Sequence, residues 1–288
     1  MLVQFDCFKC ILNQCADMSG QSAPDRDGQV RMLKQYLAKV LEKIDDSTPP
    51  EVAEGLFEIF RRETGITDPY GEVKNSSTEL AVKLLPEFAA ETAKSSDPFT
   101  LALRFAIGGN VIDYGVNPGF DLNSAAGLIR EAAQMPLDMS AVDILRERLQ
   151  NSRKVLYILD NCGEAVFDRL LIDQIGAHKI TLGVRGKAIL NDVTRKELAM
   201  SGLGDLPVID TGSATPGVSL KMSSPEFIQA VHQADTVIAK GQGNFESLYG
   251  IDGFDNVFFL FRVKCPVLVK FAGVPLNSLQ VKLNQKLK

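Results

Sequence analysis

The stretch Val155-Leu156-Tyr157-Ile158-Leu159-Asp160-Asn161-Cys162-Gly163-Glu164 constrains this chain more than any other. An apolar, β-rich run ends in a carboxylate and an amide, then turns through one glycine into Ala165 to Ile175, where apolar residues recur at helical intervals. That is strand, tight turn, helix. In an open parallel sheet the ligand crevice lies beyond the carboxyl ends of the strands, so Asp160 and Asn161 fall at its mouth. The same residue types also cap helices, and this stretch alone leaves cap and site as open readings.

Strand and helix alternate from here to the C-terminus. Strands are expected at Val155 to Leu159, Lys179 to Val184, Pro207 to Ile209, Thr236 to Ala239, Asn256 to Phe261 and Pro266 to Lys270. Helices are expected near Ala165 to Ile175, Thr194 to Ser201, Pro225 to His232 and Phe245 to Leu248. Such alternation implies right-handed crossovers and a mostly parallel sheet. Four strand ends then bring polar sets to one crevice: Asp160-Asn161; Arg185-Gly186-Lys187 with Asn191-Asp192; Asp210-Thr211-Gly212-Ser213; and Lys240-Gly241-Gln242-Gly243-Asn244. Their joint occurrence favours a site over a cap at Asp160.

The first half reads as helical. Val30, Leu33, Leu37, Val40, Leu41 and Ile44 share a helical face, Pro50 to Thr64 is punctuated by an early proline and Gly65, and Ser77 to Ala93 and Pro98 to Ile107 follow. Between them, Asp68-Pro69-Tyr70 and Lys74 occupy a loop in which Lys74 is expected to be solvated. Gly108-Gly109 before Asn110 suggests close backbone approach, and Asn117-Pro118-Gly119 a turn. Cys7 and Cys10 form one pair without a second pair or nearby histidines, which favours buried thiols on a short helix with Leu12 and Met18 over a zinc site. The fold class expected is α/β, with a mainly α-helical region over 1–150 that forms part of the pocket. A Rossmann-like three-layer α/β/α part over 151–288 carries the site.

With 288 residues and 45% hydrophobic content the chain can bury a sizeable core. Its net charge of -5 offers no basic stripe for a phosphodiester backbone, which argues against nucleic acid. No apolar run reaches membrane-spanning length and no signal-peptide pattern opens the chain, so a cytoplasmic location without membrane contact is expected. Its five cysteines do not form a disulfide framework, and no oligomeric state is assigned.

The chemistry suggested is oxygen-based. Asp160, Asn161 and Asp192 supply two carboxylates and an amide oxygen, a hard set suited to Mg²⁺ or Mn²⁺. Lys240 and the backbone N–H groups from Gly241 favour a phosphate or carboxylate. Phosphoryl transfer fits this set, whereas the Gly-rich patterns of nucleotide and dinucleotide binding are missing.

Cys7-x-x-Cys10, Asp68-Pro69-Tyr70 with Lys74, Gly109-Asn110-Val111-Ile112-Asp113-Tyr114-Gly115, Asp160 to Glu164, Arg185-Gly186-Lys187 with Asn191-Asp192-Val193-Thr194, and Lys240 to Glu246 occur in one order. Together they resemble the damage-control phosphatase family, formerly domain of unknown function 89, in its branch with paired N-terminal cysteines. The resemblance implies a metal-dependent phosphatase of small, damaged or surplus phosphorylated metabolites such as sugar phosphates. Its metal residues carry over to Asp160, Asn161 and Asp192, with Mn, Mg, Co or Ni as the ion. Lys240 would hold the phosphate, and Glu164, Asn110, Asp113 and Asn244 would line the pocket. Arg185, Ser213 and Gly241 complete the expected substrate contacts. The alternatives are a non-catalytic sensor of a metal or phosphometabolite, and a carboxyl methyltransferase, against which the single glycine of the Asp160 turn argues.

Overall fold

The computed structural model describes residues 1–114 and 122–285, and the side chains of 1–112 and 124–285. The Asp113 side chain, Gly115 and the turn at Asn117-Pro118-Gly119 therefore lie outside the described residues. Six strands, β1 (Val155–Ile158), β2 (Ile180–Val184), β3 (Val208–Asp210), β4 (Thr236–Lys240), β5 (Val257–Arg262) and β6 (Leu279–Leu283), form one sheet in the order β3-β2-β1-β4-β5-β6. All neighbours are parallel except β5 and β6. The order reverses between β1 and β4, where the strands leave a crevice at their carboxyl ends.

Period-two alternation along the strands divides the core. Tyr157, Leu182, Ile238, Phe258 and Leu260 face one side, where they pack with α4 (Gly71–Lys94), α5 (Pro98–Gly108) and α8 (Cys162–Ile175). Phe88 and Phe167 meet edge-on there, with ring centroids 5.3 Å apart. Leu156, Ile158, Ala239, Phe259 and Phe261 face the other side, against α9 (Pro225–Gln233), α10 (Gly241–Leu248) and α11 (Pro266–Ala272). The first of these cores also takes residues from α6 (Leu122–Ala133) and α7 (Met139–Asn151), so it runs continuously across position 150. A third cluster joins α1 (Phe8–Ser22), α2 (Arg26–Lys43) and α3 (Pro49–Thr64) through Cys15, Tyr36, Phe57 and Phe60, and reaches Ala214 and Val267.

Local chemistry sets the boundaries. Thr48 and Glu51 form a reciprocal capping box at α3, Pro49 occupies the first turn, and Gly65 ends the helix at φ 72. Three expectations are corrected. Pro266 to Lys270 is helix rather than strand, because Pro266 opens its first turn and Gly273 closes it in the left-handed region. The last strand is instead β6, where Gln280 and Lys282 break the apolar run that marks the central strands. Thr194 to Ser201 holds only a short 3-10 turn, Arg195–Glu197, fixed by a Thr194–Glu197 capping box. Among the described residues no helix is long and apolar enough to cross a membrane.

Candidate active site

β1 delivers Asp160 and Asn161 to the switch point, and a returning loop brings Asp192 to them. Cys162 N–H donates to Asn191 O at 2.9 Å and Val193 N–H to Asp160 O at 2.8 Å. These bonds pair Asn161 with Asp192 in an antiparallel bridge. Leu190 sits at φ 44 just before the bridge, a conformation a branched side chain adopts only when its surroundings impose it. Asn161 precedes α8 but makes no capping hydrogen bond, its amide donating instead to Asp160 Oδ2 at 3.2 Å. The cap reading therefore fails for Asn161.

The buried Arg185 guanidinium lies behind both acids. Its Nε donates to Asp192 Oδ2 at 2.7 Å, its Nη1 to Asn244 Oδ1 at 3.3 Å, and its Nη2 lies 3.6 Å from Asp160 Oδ1. Burial raises the Asp160 carboxyl well above the usual range, and repulsion from Asp192 and Glu164 adds to it; Arg185 and Lys240 offset only part. Asp192 is raised by burial too, with Arg185 opposing. Gly241, at φ 80, lies directly against Asp160, and a Cβ there would collide with the carboxylate.

Lys240 takes a different position from the one expected. Fully buried, it donates to Ala106 O at 2.9 Å, Asp168 Oδ1 at 2.7 Å and Glu164 Oε1, which uses all three ammonium hydrogens. No N–H remains for a phosphate. Burial opposes its charge, but the Asp168 and Glu164 carboxylates outweigh that and raise its pKa. Burial pushes Asp168 up to about 6 against the pull of Lys240. Glu164 faces outward from this cluster and also receives the Asn110 amide.

A cavity of about 450 Å³ opens over these groups, with Asp160, Asn161, Glu164, Asp192, Asn110 and Gly241 in its wall. Asn244 and Arg185 lie behind the wall, and Ser213 is buried in a turn where its carbonyl accepts Gly186 and Lys187 N–H. Lys74, expected in solvent, is buried and lies 3.3 Å from Asp68 and 3.8 Å from Glu197. The N-terminal helices supply Gln14, Pro50, Ala53, Tyr70 and Val73 to the opposite wall. None of those residues, nor Asp168, Glu246, Arg262 or Lys264, had a place in the site expected from the sequence, although Tyr70 and Glu246 stand inside its motifs and the i,i+4 spacing of Glu164 and Asp168 signals Asp168. Cys7 and Met18 are buried as expected, but Cys10 and Leu12 are exposed.

The donor chemistry suits a divalent cation. Asp160, Asp192, Glu164 and Asp168 carry four formal negative charges against the two positive charges of Arg185 and Lys240 in one buried cluster. Asn110 Oδ1 is buried there with no hydrogen-bond partner. Among the described residues no three His, Cys, Asp or Glu side chains group as a metal cage, and the oxygen donors that line the cavity beside the Asn161–Asp192 bridge are Asp160, Asn161 and Asp192. Ions of the Mg²⁺ kind accept so few protein ligands because they keep water or substrate oxygens in the remaining positions.

A doubly wound α/β protein with an acidic crevice at its switch point is thus the class that fold and site define. The damage-control phosphatase ARMT1-like domain matches residues 3–279, and the chain belongs to this family. A damage-control phosphatase of Pyrococcus horikoshii is 36% identical over 97% of this chain and 97% of its own length. One from Archaeoglobus fulgidus is 30% identical over 76% of this chain and 77% of its own. The crystal structure of a DUF89 family protein from Pyrococcus horikoshii superposes with a TM-score of 0.88 at 32% identity, covering 99% of this chain and all of that one.

Proposed function

We propose that this chain is a metal-dependent phosphatase that hydrolyses phosphate monoesters of small phosphorylated metabolites, sugar phosphates among them. The observation that carries the reading is the pairing of Asn161 with Asp192 beside Asp160, in a cluster with excess negative charge. Asp160, Asn161 and Asp192 would hold Mg²⁺, Mn²⁺, Co²⁺ or Ni²⁺. Such an ion polarises phosphoryl oxygens and acidifies bound water. Arg185 fixes the orientation of Asp192 and steadies Asp160. Glu164, clamped between the Lys240 ammonium and the Asn110 amide, presents a carboxylate that can orient an attacking water. Lys240 acts here as a positioning residue rather than a phosphate ligand. Gly241 to Gly243 open α10 with backbone N–H groups towards the same cavity, a place that favours an anion.

Release of inorganic phosphate from p-nitrophenyl phosphate tests the reading. Turnover should need one of the four added ions, disappear with a chelator and return on adding the ion back. Turnover that persists in chelator would overturn the metal requirement, and tight binding of phosphometabolites without turnover would favour a sensor.

A further inference from the structure

Asp160, Glu164 and Asp192 line the cavity at the β1 end and Glu246 lines it from α10, while its cationic side chains, Arg262 and Lys264, come from the tail of β5. β4 lies between those strands, and Ile158 is level with Ala239, which is level with Phe259. Asp160 therefore stands about level with Phe261, and two strand spacings put it about 10 Å from the β5 tail. Arg262 is held from behind. Its Nη2 donates to Asn277 Oδ1 at 3.2 Å, and Asn277 sits in the left-handed region at φ 59. Its Nε is buried without a hydrogen-bond partner, a costly state for a guanidinium N–H unless a ligand completes it. Gln242 ties this segment to α10, accepting Lys264 N–H at 3.2 Å and donating to Glu246 at 3.1 Å. The nearby Glu246 carboxylate forms no ion pair with Arg262 among the described residues.

We propose that Arg262, with Lys264 beside it, forms a second anion subsite, so that preferred substrates carry a second negative group at the end remote from the phosphoryl group that is cleaved. The inference rests on the phosphatase reading and deepens it to a substrate class: sugar bisphosphates or phosphorylated sugar acids. A planar guanidinium fork matches either a phosphate or a carboxylate.

Three probes test it with the full chain: p-nitrophenyl phosphate, a hexose bisphosphate and a hexonate 6-phosphate. Arg262→Gln should raise KM for the better of the two doubly anionic probes by about 10- to 100-fold, and move KM for p-nitrophenyl phosphate at least about tenfold less. Arg262→Lys should recover part of the loss, and matching thermal midpoints establish that both variants fold. Equal KM changes for all three probes, or none, would overturn the subsite. Calorimetric titration of the same probes gives a readout independent of turnover. Weaker binding of the doubly anionic probe to Arg262→Gln supports the subsite even if nothing is hydrolysed, a result that would sink the phosphatase reading alone; unchanged binding overturns the subsite. Whichever doubly anionic probe binds tighter identifies the group that Arg262 receives.

Discussion

At Gly241 the backbone itself forms the floor under Asp160. A methyl group there would meet the carboxylate, and φ 80 disfavours any L side chain. Gly241→Ala should therefore cut kcat by about 100-fold or more, the usual cost of displacing a reacting group by an ångström. The assay is p-nitrophenyl phosphate turnover, with circular dichroism to show that the fold persists; a loss under threefold would mean Asp160 can shift without consequence. Lys240 behaves differently. With Asp168 and Glu164 on its ammonium, Lys240→Met strands two buried carboxylates, and we expect about 3–5 kcal/mol of stability to be lost in urea unfolding. A weakened KM alone, the outcome expected of an exposed phosphate ligand, would contradict the burial described here. The strand end marked Lys240 as special in the sequence, but nothing in the sequence said which way its side chain turns. That depends on Ala106 and Asp168, contributed by two other helices.

Elements were legible where their signals were local. The β1 turn and the early proline and closing Gly65 of α3 stand in the sequence as they stand in the fold, and the glycines after Lys240 start α10. The edge of the sheet was not, because β6 mixes Gln280 and Lys282 with its apolar residues and α11 carries the strand-favouring Val267, Val269 and Phe271. Long-range joints were equally silent. Glu54 of α3 accepts Ala214 N–H at 2.9 Å and the Thr215 hydroxyl, pinning the helical half to the loop that packs against Gly243 through Pro216. Glu54→Ala should cost about 1–3 kcal/mol, because a buried N–H and a hydroxyl lose their acceptor. Urea unfolding should show the midpoint falling with an unchanged slope; a shift below about 0.5 kcal/mol would mean water replaces the carboxylate.

The cavity exists only because the whole chain closes over the switch point, and that closure leaves a measurable trace in pH. Glu246 is carried by α10 into the space between the helical half and the β5 tail, where burial pushes its carboxyl from 4.5 up to about 7. The Gln242 hydrogen bond and the chain's amino group offset only part of that burial. Between those two values the folded chain holds a proton that the unfolded chain has released, so stability is highest below pH 4.5 for this group and declines as pH rises through about 7. The full effect is at most about 3.5 kcal/mol, since a tenfold change in proton affinity corresponds to roughly 1.4 kcal/mol. Asp160, Asp168 and Asp192 are raised by the same burial and steepen the decline in the same direction. Glu246→Gln removes one contribution and leaves the others in place. Urea unfolding at about pH 5 and about pH 8 should show the variant gaining on the parent chain at the higher pH, by up to about 3 kcal/mol. Parallel stability curves for the two proteins would show that Glu246 reaches solvent, and with it that the helical half does not seal this end of the cavity.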